Sequence, residues 1–225
     1  MRQMILSLAP VPSPTLQNFV KGRNAELLSV LTALATGDRA ERFVYLWGLP
    51  GCGKTHLLRA MRAEFESRSV AVVMFIGPAA TEDATPCEVV LADDVDHLDE
   101  QGQQRLFNLY NAQRDGGGVL VAAGAVPPAY LGLRKDLITR LGWGLVYHVQ
   151  SLSDDEKMAA MTEHARARGF RLSREVMDYV LNRQPRDLPA LLRLLEALDR
   201  YSLESKRAVT IPLVRKLLTD QPPEH

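Results

Sequence analysis

The chain has 225 residues, 46% of them hydrophobic and 24% charged, proportions that belong to a soluble globular protein rather than to a disordered or fibrous one. Lys and Arg number 27, as do Asp and Glu, so the formal charge is zero and no overall field draws the protein to nucleic acid; strong direct DNA binding is not expected. No run approaches the roughly 18 consecutive apolar residues of a membrane span. Gln3 and Ser7 interrupt the early apolar stretch and prolines follow it, which makes a poor signal peptide. Cys52 and Cys87 lack the paired spacing of a zinc site and suit a reducing compartment, so the expected location is the cytoplasm.

The length favours one main domain with a smaller appendage. After a Pro-rich leader over residues 1–14, Asn24 is placed to cap a helix whose Leu27, Leu28, Leu31 and Leu34 recur at helical spacing and which ends near Gly37. Phe43–Trp47 reads as a short buried strand, the Gly-rich stretch 48–53 as a turn, and a helix follows from about Thr55. Val70–Ile76, Val89–Ala92, Val119–Ala123 and Leu145–Val149 are four more strand candidates, with Leu106, Leu109 and Tyr110 on one face of an intervening helix. Strands alternating with helices imply a parallel sheet buried on both faces. From Ser151 no strand signal survives. Helical segments are expected at about 154–168, 173–182, 187–204 and 209–218, with Ser153, Ser173 and Asp187 as caps. The expectation is an α/β domain over 15–150 and a small all-helical domain over 151–225, with charge balanced in each and no internal repeat.

Gly48-Leu49-Pro50-Gly51-Cys52-Gly53-Lys54-Thr55 fits the phosphate-loop pattern G-x-x-x-x-G-K-S/T, after a strand and before a helix. Glycines let successive N–H groups curl toward phosphate oxygens, and the following helix presents its positive end to the same anion. Lys54 is positioned for the β- and γ-phosphates and Thr55 for magnesium; Gly48, Pro50, Gly51, Cys52, Gly53 and His56 complete the candidate nucleotide site. The strand Val89–Ala92 ends in Asp93-Asp94, where a magnesium-side carboxylate (Asp93) and a group that polarises the attacking water (Asp94) are expected. A tight turn with an incidental Lys, or a solvated acidic turn, is the plain alternative to each. His97 reads as a loop or cap residue, Cys52 as filling space in the loop, and Trp143 as a packed anchor for the strand that follows it.

With GLPGCGKTHLL, VVLADDVDHL, RLGWGL and PRDLPALLRLLEAL in this order, the sequence resembles the AAA+ module of the bacterial initiator DnaA and its shorter relatives of the Hda type. The resemblance covers nearly the whole chain and implies an AAA+ P-loop NTPase fold with a helical lid. It implies that Asp93-Asp94 are the Walker B acids, that Arg140 is an arginine finger reaching a neighbouring subunit's nucleotide, and that Arg186 is the sensor-2 arginine of the lid. Each arginine could instead lie with its stem over apolar neighbours. One position departs from the family: relatives place a polar sensor-1 residue near Ala125, so efficient hydrolysis by this chain itself is disfavoured and a nucleotide-dependent switch favoured. The initiator would need a further DNA-binding domain after the lid, and the chain stops at His225.

The function implied is that of an ADP- or ATP-bound regulator, with Mg2+, that joins the DNA-loaded sliding clamp and promotes ATP hydrolysis by DnaA, so inhibiting re-initiation. A second copy of the chain is a further candidate partner. Gln3-Met4-Ile5-Leu6-Ser7-Leu8 resembles a clamp-binding peptide, with Gln3, Leu6 and Leu8 as its contacts, held off the body by Pro10, Pro12 and Pro14; a loose tail packed on the domain is the alternative. A self-acting AAA+ ATPase or helicase loader, and a small-molecule P-loop kinase, remain open as other functions.

Overall fold

The computed structural model describes residues 13–77, 87–170, 172–183, 188–205 and 209–220. They form two compact units, one spanning Ser13–Ser151 and one beginning at Leu152. In the first, helix α1 (Ala25–Ala35), strand β1 (Phe43–Trp47), α2 (Lys54–Ser67), β2 (Val72–Ile76), β3 (Val89–Asp93), α3 (Glu100–Gly116), β4 (Val119–Gly124), α4 (Lys135–Leu141) and β5 (Leu145–His148) follow one another. All strand pairs are parallel, in the order β2-β3-β4-β1-β5. This is the sheet that alternating strands and helices predict.

Both faces are covered, which is why β3 and β4 are apolar along their whole length and every residue in them is buried. Val44 and Leu46 point toward α1 and α2, meeting Leu31, Leu57, Met61 and Phe65. Tyr45 points the other way with Val90, Leu120 and Ala122, against Leu106 and Leu137 of α3 and α4. Because Trp47 stands in register with Gly124 and His148, and Ala92 with Ala122, the carboxyl ends of β1, β4, β5 and β3 open at one edge. Ligands of parallel α/β sheets bind at that edge.

The second unit is helical: α5 (Asp154–Ala167), α6 (Arg174–Arg183), α7 (Leu188–Ser205) and α8 (Ile211–Asp220). Ser153 and Glu156 form a reciprocal capping box at the start of α5, satisfying two helix-end donors at once. Ser173 Oγ accepts from Val176 N at the start of α6, and Asp187 lies outside the described residues. Met161, Val180, Leu191, Leu195, Leu198 and Val214 make the core. Glu196, buried on α7, accepts from Arg168 Nη2 at 2.7 Å. His164 lies beside this pair, and burial together with the Arg168 charge pushes its imidazole below its ordinary value. Among the described residues no helix is long and apolar enough to cross a membrane.

Asn24 departs from its expected role. It precedes α1, yet its side chain makes no capping bond. Instead Nδ2 donates to Gln150 O at 2.9 Å and Oδ1 accepts from Gln150 N at 2.7 Å, joining the start of α1 to the segment after β5. Two tertiary bonds that satisfy a strand-end amide outweigh one local bond at a frayed helix end. Asn24→Ala strips both backbone groups of Gln150 of these partners and is expected to lower the stability of the α/β unit by about 1–3 kcal/mol. The check is a lower urea midpoint with an unchanged slope.

Candidate functional site

The phosphate loop leaves the end of β1 and re-enters at the first residue of α2. Gly53 adopts φ +106° and Gly48 φ +156°. A Cβ on Gly53 would lie 2.6 Å from Phe19 Cε2, and one on Gly48 would lie 2.7 Å from Val149 O. Glycine is therefore demanded twice over, by conformation and by close approach. Inside the curl the Lys54 amine donates to Gly48 O at 2.7 Å and Leu49 O at 3.3 Å, with Cys52 Sγ at 3.9 Å. Lys54 is only 9% exposed. Cys52 is buried in the core cluster beneath the loop, while Leu49 and Pro50 face outward.

Asp93 ends β3 and is 1% exposed. Its Oδ1 accepts from Asp94 N at 3.1 Å, whereas Oδ2 is buried with no hydrogen-bond partner among the described residues. Burial pushes its carboxyl above the ordinary carboxylate range, opposed by a hydrogen bond from the Thr55 side chain and by the Lys54 charge. Lys54, Thr55 and Asp93 thus meet at one point. No cluster of three or more His, Cys, Asp or Glu among the described residues could hold an ion unaided. An orphaned carboxylate oxygen beside a hydroxyl fits a divalent cation that takes its remaining oxygens from phosphates. Asp94 is exposed and sits in the left-handed region (φ 50°, ψ 45°), a strained position for a non-glycine residue.

At the tip of β4 Ala125 offers only its backbone: its N–H donates to Asp96 Oδ1 at 3.0 Å. Asp96 also contacts His97 Nδ1 at 3.1 Å. Tyr45, buried below, donates to Val126 O at 3.0 Å. A Cβ on Gly124 would collide with the Tyr45 hydroxyl, so a buried tyrosine, a carboxylate and a glycine fix the strand tip. His56 is turned to the segment before α1, with Nε2 3.1 Å from Thr15 O and its ring 5.6 Å from that of Phe19.

Arg140 lies in the last turn of α4, away from this cluster. Its Nε donates to Asn111 Oδ1 at 2.9 Å, and its guanidinium lies 4.4 Å from the Phe107 ring centroid, 5.8 Å from Tyr110 and 5.6 Å from Trp143. Trp143 is 60% exposed rather than a packed anchor. Arg186 and the leader residues Gln3, Leu6 and Leu8 lie outside the described residues.

Sequence reasoning missed four contributors. Phe107 and Asn111 stand one turn apart on α3, so an i, i+4 pair flanking the apolar stripe was the available signal. Phe19 against Gly53 and Asp96 under Ala125 are long-range contacts with no local signature.

Comparison with known proteins bears on both the family and the fold. Residues 154–218 match the family model described as Hda, lid domain. An uncharacterized protein of Haemophilus influenzae (strain ATCC 51907 / DSM 11121 / KW20 / Rd) is 33% identical over 96% of this chain and 98% of its own. Domain III of the Thermotoga maritima replication initiation protein DnaA superposes with a TM-score of 0.74 at 22% identity, over 94% of this chain and 98% of that one. AMPPCP-bound DnaA from Aquifex aeolicus gives 0.70 at 22% identity, over 89% and 71%. These two likenesses establish the fold.

The raised Asp93 carboxyl carries a pH signature. Between the ordinary carboxylate value of about 3.9 and the higher folded value, the folded state binds more protons than the unfolded one, so stability falls as pH rises through that window. Above it the ionised, half-satisfied carboxylate destabilises in full. In nucleotide-free protein Asp93→Asn should therefore raise the thermal midpoint at pH 7, by on the order of 1 kcal/mol of stability, and the gain should vanish below about pH 4. Scanning calorimetry of both proteins at the two pH values checks this.

Proposed function

Because the chain belongs to the Hda family of DnaA-related AAA+ proteins, we propose that it is a nucleotide-bound regulator which, with the DNA-loaded sliding clamp, promotes hydrolysis of the ATP held by DnaA and so inhibits re-initiation. Nucleotide binding rests on the convergence of Lys54, Thr55 and Asp93 at the carboxyl edge. The Lys54 amine would exchange its bonds to Gly48 O and Leu49 O for the β-phosphate of ADP or the β- and γ-phosphates of ATP, and the N–H groups of residues 51–55 would cradle the same oxygens. Thr55 and Asp93 Oδ2 would hold Mg2+, whose charge neutralises the phosphates. The DnaA structure from Aquifex aeolicus bound to AMPPCP supports a nucleotide of this class.

Action on a partner is carried by the placement of Arg140. The phosphate loop follows Trp47, at the carboxyl end of β1, whereas Arg140 packs beside Trp143 and Tyr110, which share a groove with Phe43 at the strand's other end. A five-residue strand spans about 13 Å. A guanidinium held there serves a neighbour's nucleotide rather than its own. Its hydrogen-bond partner, Asn111, is neutral, so its charge stays available. The chain's own hydrolysis is weak in this reading: Asp94 can polarise a water, but Ala125 brings no polar side chain to the γ-phosphate.

Lys54→Ala is expected to weaken ADP and ATP binding by a hundredfold or more, on the order of 3 kcal/mol for a lost charge-assisted contact, with an unchanged circular dichroism spectrum; calorimetric titration measures it, and unchanged affinity in a folded protein would remove the basis of the assignment. In a reconstituted assay with DnaA and DNA-loaded clamp, Arg140→Ala should retain nucleotide but lose stimulation of DnaA hydrolysis by about a thousandfold. Replacing Gln3, Leu6 and Leu8 together by Ala should abolish the clamp-dependent part alone. Native stimulation by the Arg140 variant would make that arginine structural.

A further inference from the structure

The turn after β3 holds Asp94 at φ 50° and ψ 45°, one of two non-glycine residues at positive φ among those described. Aspartate tolerates this region better than most residues, yet it still works against the side chain's own preference, so neighbouring contacts must fix it. Local bonds do so in part: Asp94 N donates to Asp93 Oδ1 at 3.1 Å, and Asp94 O accepts from His97 N at 3.0 Å. The next two residues reach different supports. Val95 is buried in the core on the α3 and α4 face, while Asp96 reaches sideways to β4, where Oδ1 accepts from Ala125 N at 3.0 Å. Asp96 Oδ2 meets His97 Nδ1 at 3.1 Å; Asp96 is 19% exposed and His97 69%, so the carboxylate is the fixed member of that pair.

The place that Asp96 grips is built to receive it. A Cβ on Gly124 would lie 3.1 Å from Asp96 Oδ1 and collide with the Tyr45 hydroxyl. Tyr45 donates to Val126 O, and burial together with the Asp96 charge pushes its hydroxyl up, so it remains a donor. A side chain from β1 and one from the turn after β3 thus hold neighbouring backbone groups of the β4 tip. β4 lies between β3 and β1, with Gly124 in register with Trp47, the residue before the phosphate loop. The bond from Asp96 to Ala125 therefore ties the turn that carries Asp94 to the strand beside the Lys54 cradle.

We infer that Asp96 is a positioning residue for Asp94: it keeps the turn in its left-handed form and so directs the Asp94 carboxylate toward the edge where the γ-phosphate of ATP would lie. It acts through the Ala125 N–H rather than on the nucleotide. The inference rests on the proposed role of Asp94 in polarising a water, and it gives the β4 tip a use that needs no polar side chain at Ala125. The other reading of Asp96 is a third acid for the metal. Its two oxygens are already engaged by Ala125 N and His97 Nδ1, and no cluster of three or more His, Cys, Asp or Glu among the described residues could hold an ion, which favours positioning.

The test is single-turnover hydrolysis of radiolabelled ATP by the full chain, with ATP affinity measured separately by calorimetry. Asp96→Ala is expected to lower the rate at saturating ATP by roughly tenfold to a hundredfold, as a misplaced general base does, with ATP affinity little changed. Ala125 N is exposed enough for water to replace the lost bond, so this variant should fold; Asp96→Glu, which displaces the carboxylate by one methylene, should lower the rate as well. Asp96→Asn, whose amide oxygen still accepts from Ala125 N, should restore most of the rate, and His97→Ala should keep it. A second measurement needs no turnover. In nucleotide-free protein the thermal-midpoint shift on Asp94→Gly should be more favourable in the wild type and in Asp96→Asn than in Asp96→Ala, because glycine relieves left-handed strain only where residue 96 maintains it. The entropy that glycine adds to the unfolded chain is common to all three backgrounds and cancels. Equal shifts in all three would overturn the inference. So would an Asp96→Asn background that behaves as Asp96→Ala, since the coupling would then be repulsion between two carboxylates. An unchanged rate in Asp96→Ala, or a wild type that binds ATP without hydrolysing it, also overturns it, and both leave action on DnaA standing. A wild type that binds neither ADP nor ATP would overturn the proposed function together with this inference.

Discussion

Two opposite charges are buried at the carboxyl edge of the sheet, and the α/β unit is arranged around keeping them there. Lys54 and Asp93 are 9% and 1% exposed, and burial of an ion is tolerated only where polar groups replace its water. Lys54 meets that demand with two carbonyls of its own loop, which is possible only because Gly48 and Gly53 take positive φ and let the backbone close around the amine. Asp93 meets it by half, through Asp94 N and the Thr55 side chain, leaving Oδ2 bare. A site that carries such an unbalanced group is stabilised when a ligand supplies the missing counter-charge. In the proposed function that counter-charge is the cation that Asp93 Oδ2 and Thr55 would hold, so part of the fold's electrostatic strain would become affinity for it.

Much of this was legible because it is local. Phe43–Trp47 and the phosphate loop obey rules that operate within ten residues, as do β3 and β4, whose uninterrupted apolar runs signal a sheet covered on both faces. The strand before them began two residues late for an equally local reason that composition does not show. Ser69 takes φ 60° and Val70 N donates back to Phe65 O, so the end of α2 claims a β-branched residue that otherwise belongs to the strand. Where contacts join residues far apart in sequence, the reading ran out. Asn24 has the side chain of a cap and spends it on Gln150, 126 positions away; Phe19 lies on Gly53 across 34 residues with nothing periodic to announce it. Trp143 failed differently: a tryptophan before a strand is most often buried, and only the three-dimensional course of α4 into β5 shows that it faces out.

The two readings of Arg140 drawn from sequence, a finger and a stem lying over apolar neighbours, are not exclusive. Its guanidinium is stacked on Phe107 and hydrogen-bonded to Asn111, neither of which carries charge. Had the holding group been a carboxylate, the arginine would be neutralised, and withdrawing it would leave a bare anion behind. Cation–π contact at a partly exposed ring is worth about 0.5–1 kcal/mol, against the several kcal/mol that a finger supplies at a transition-state phosphate. The packing directs the side chain without competing for its charge.

Separation along β1 then determines what the molecule can do. A chain whose nucleotide cradle and Arg140, held by neutral groups, lie at opposite ends of the same central strand does not bring the two together in one site, because packed sheets do not deform over about 13 Å. In the proposed function each end is half of a composite: the cradle takes a nucleotide, and Arg140 serves a phosphate held by a partner. In a symmetric ring both halves would be filled by copies of the chain. In the proposed function the two ends serve different partners, and the Ala125 backbone at the β4 tip, bonded to Asp96 and bare of a polar side chain, would favour holding nucleotide over hydrolysing it.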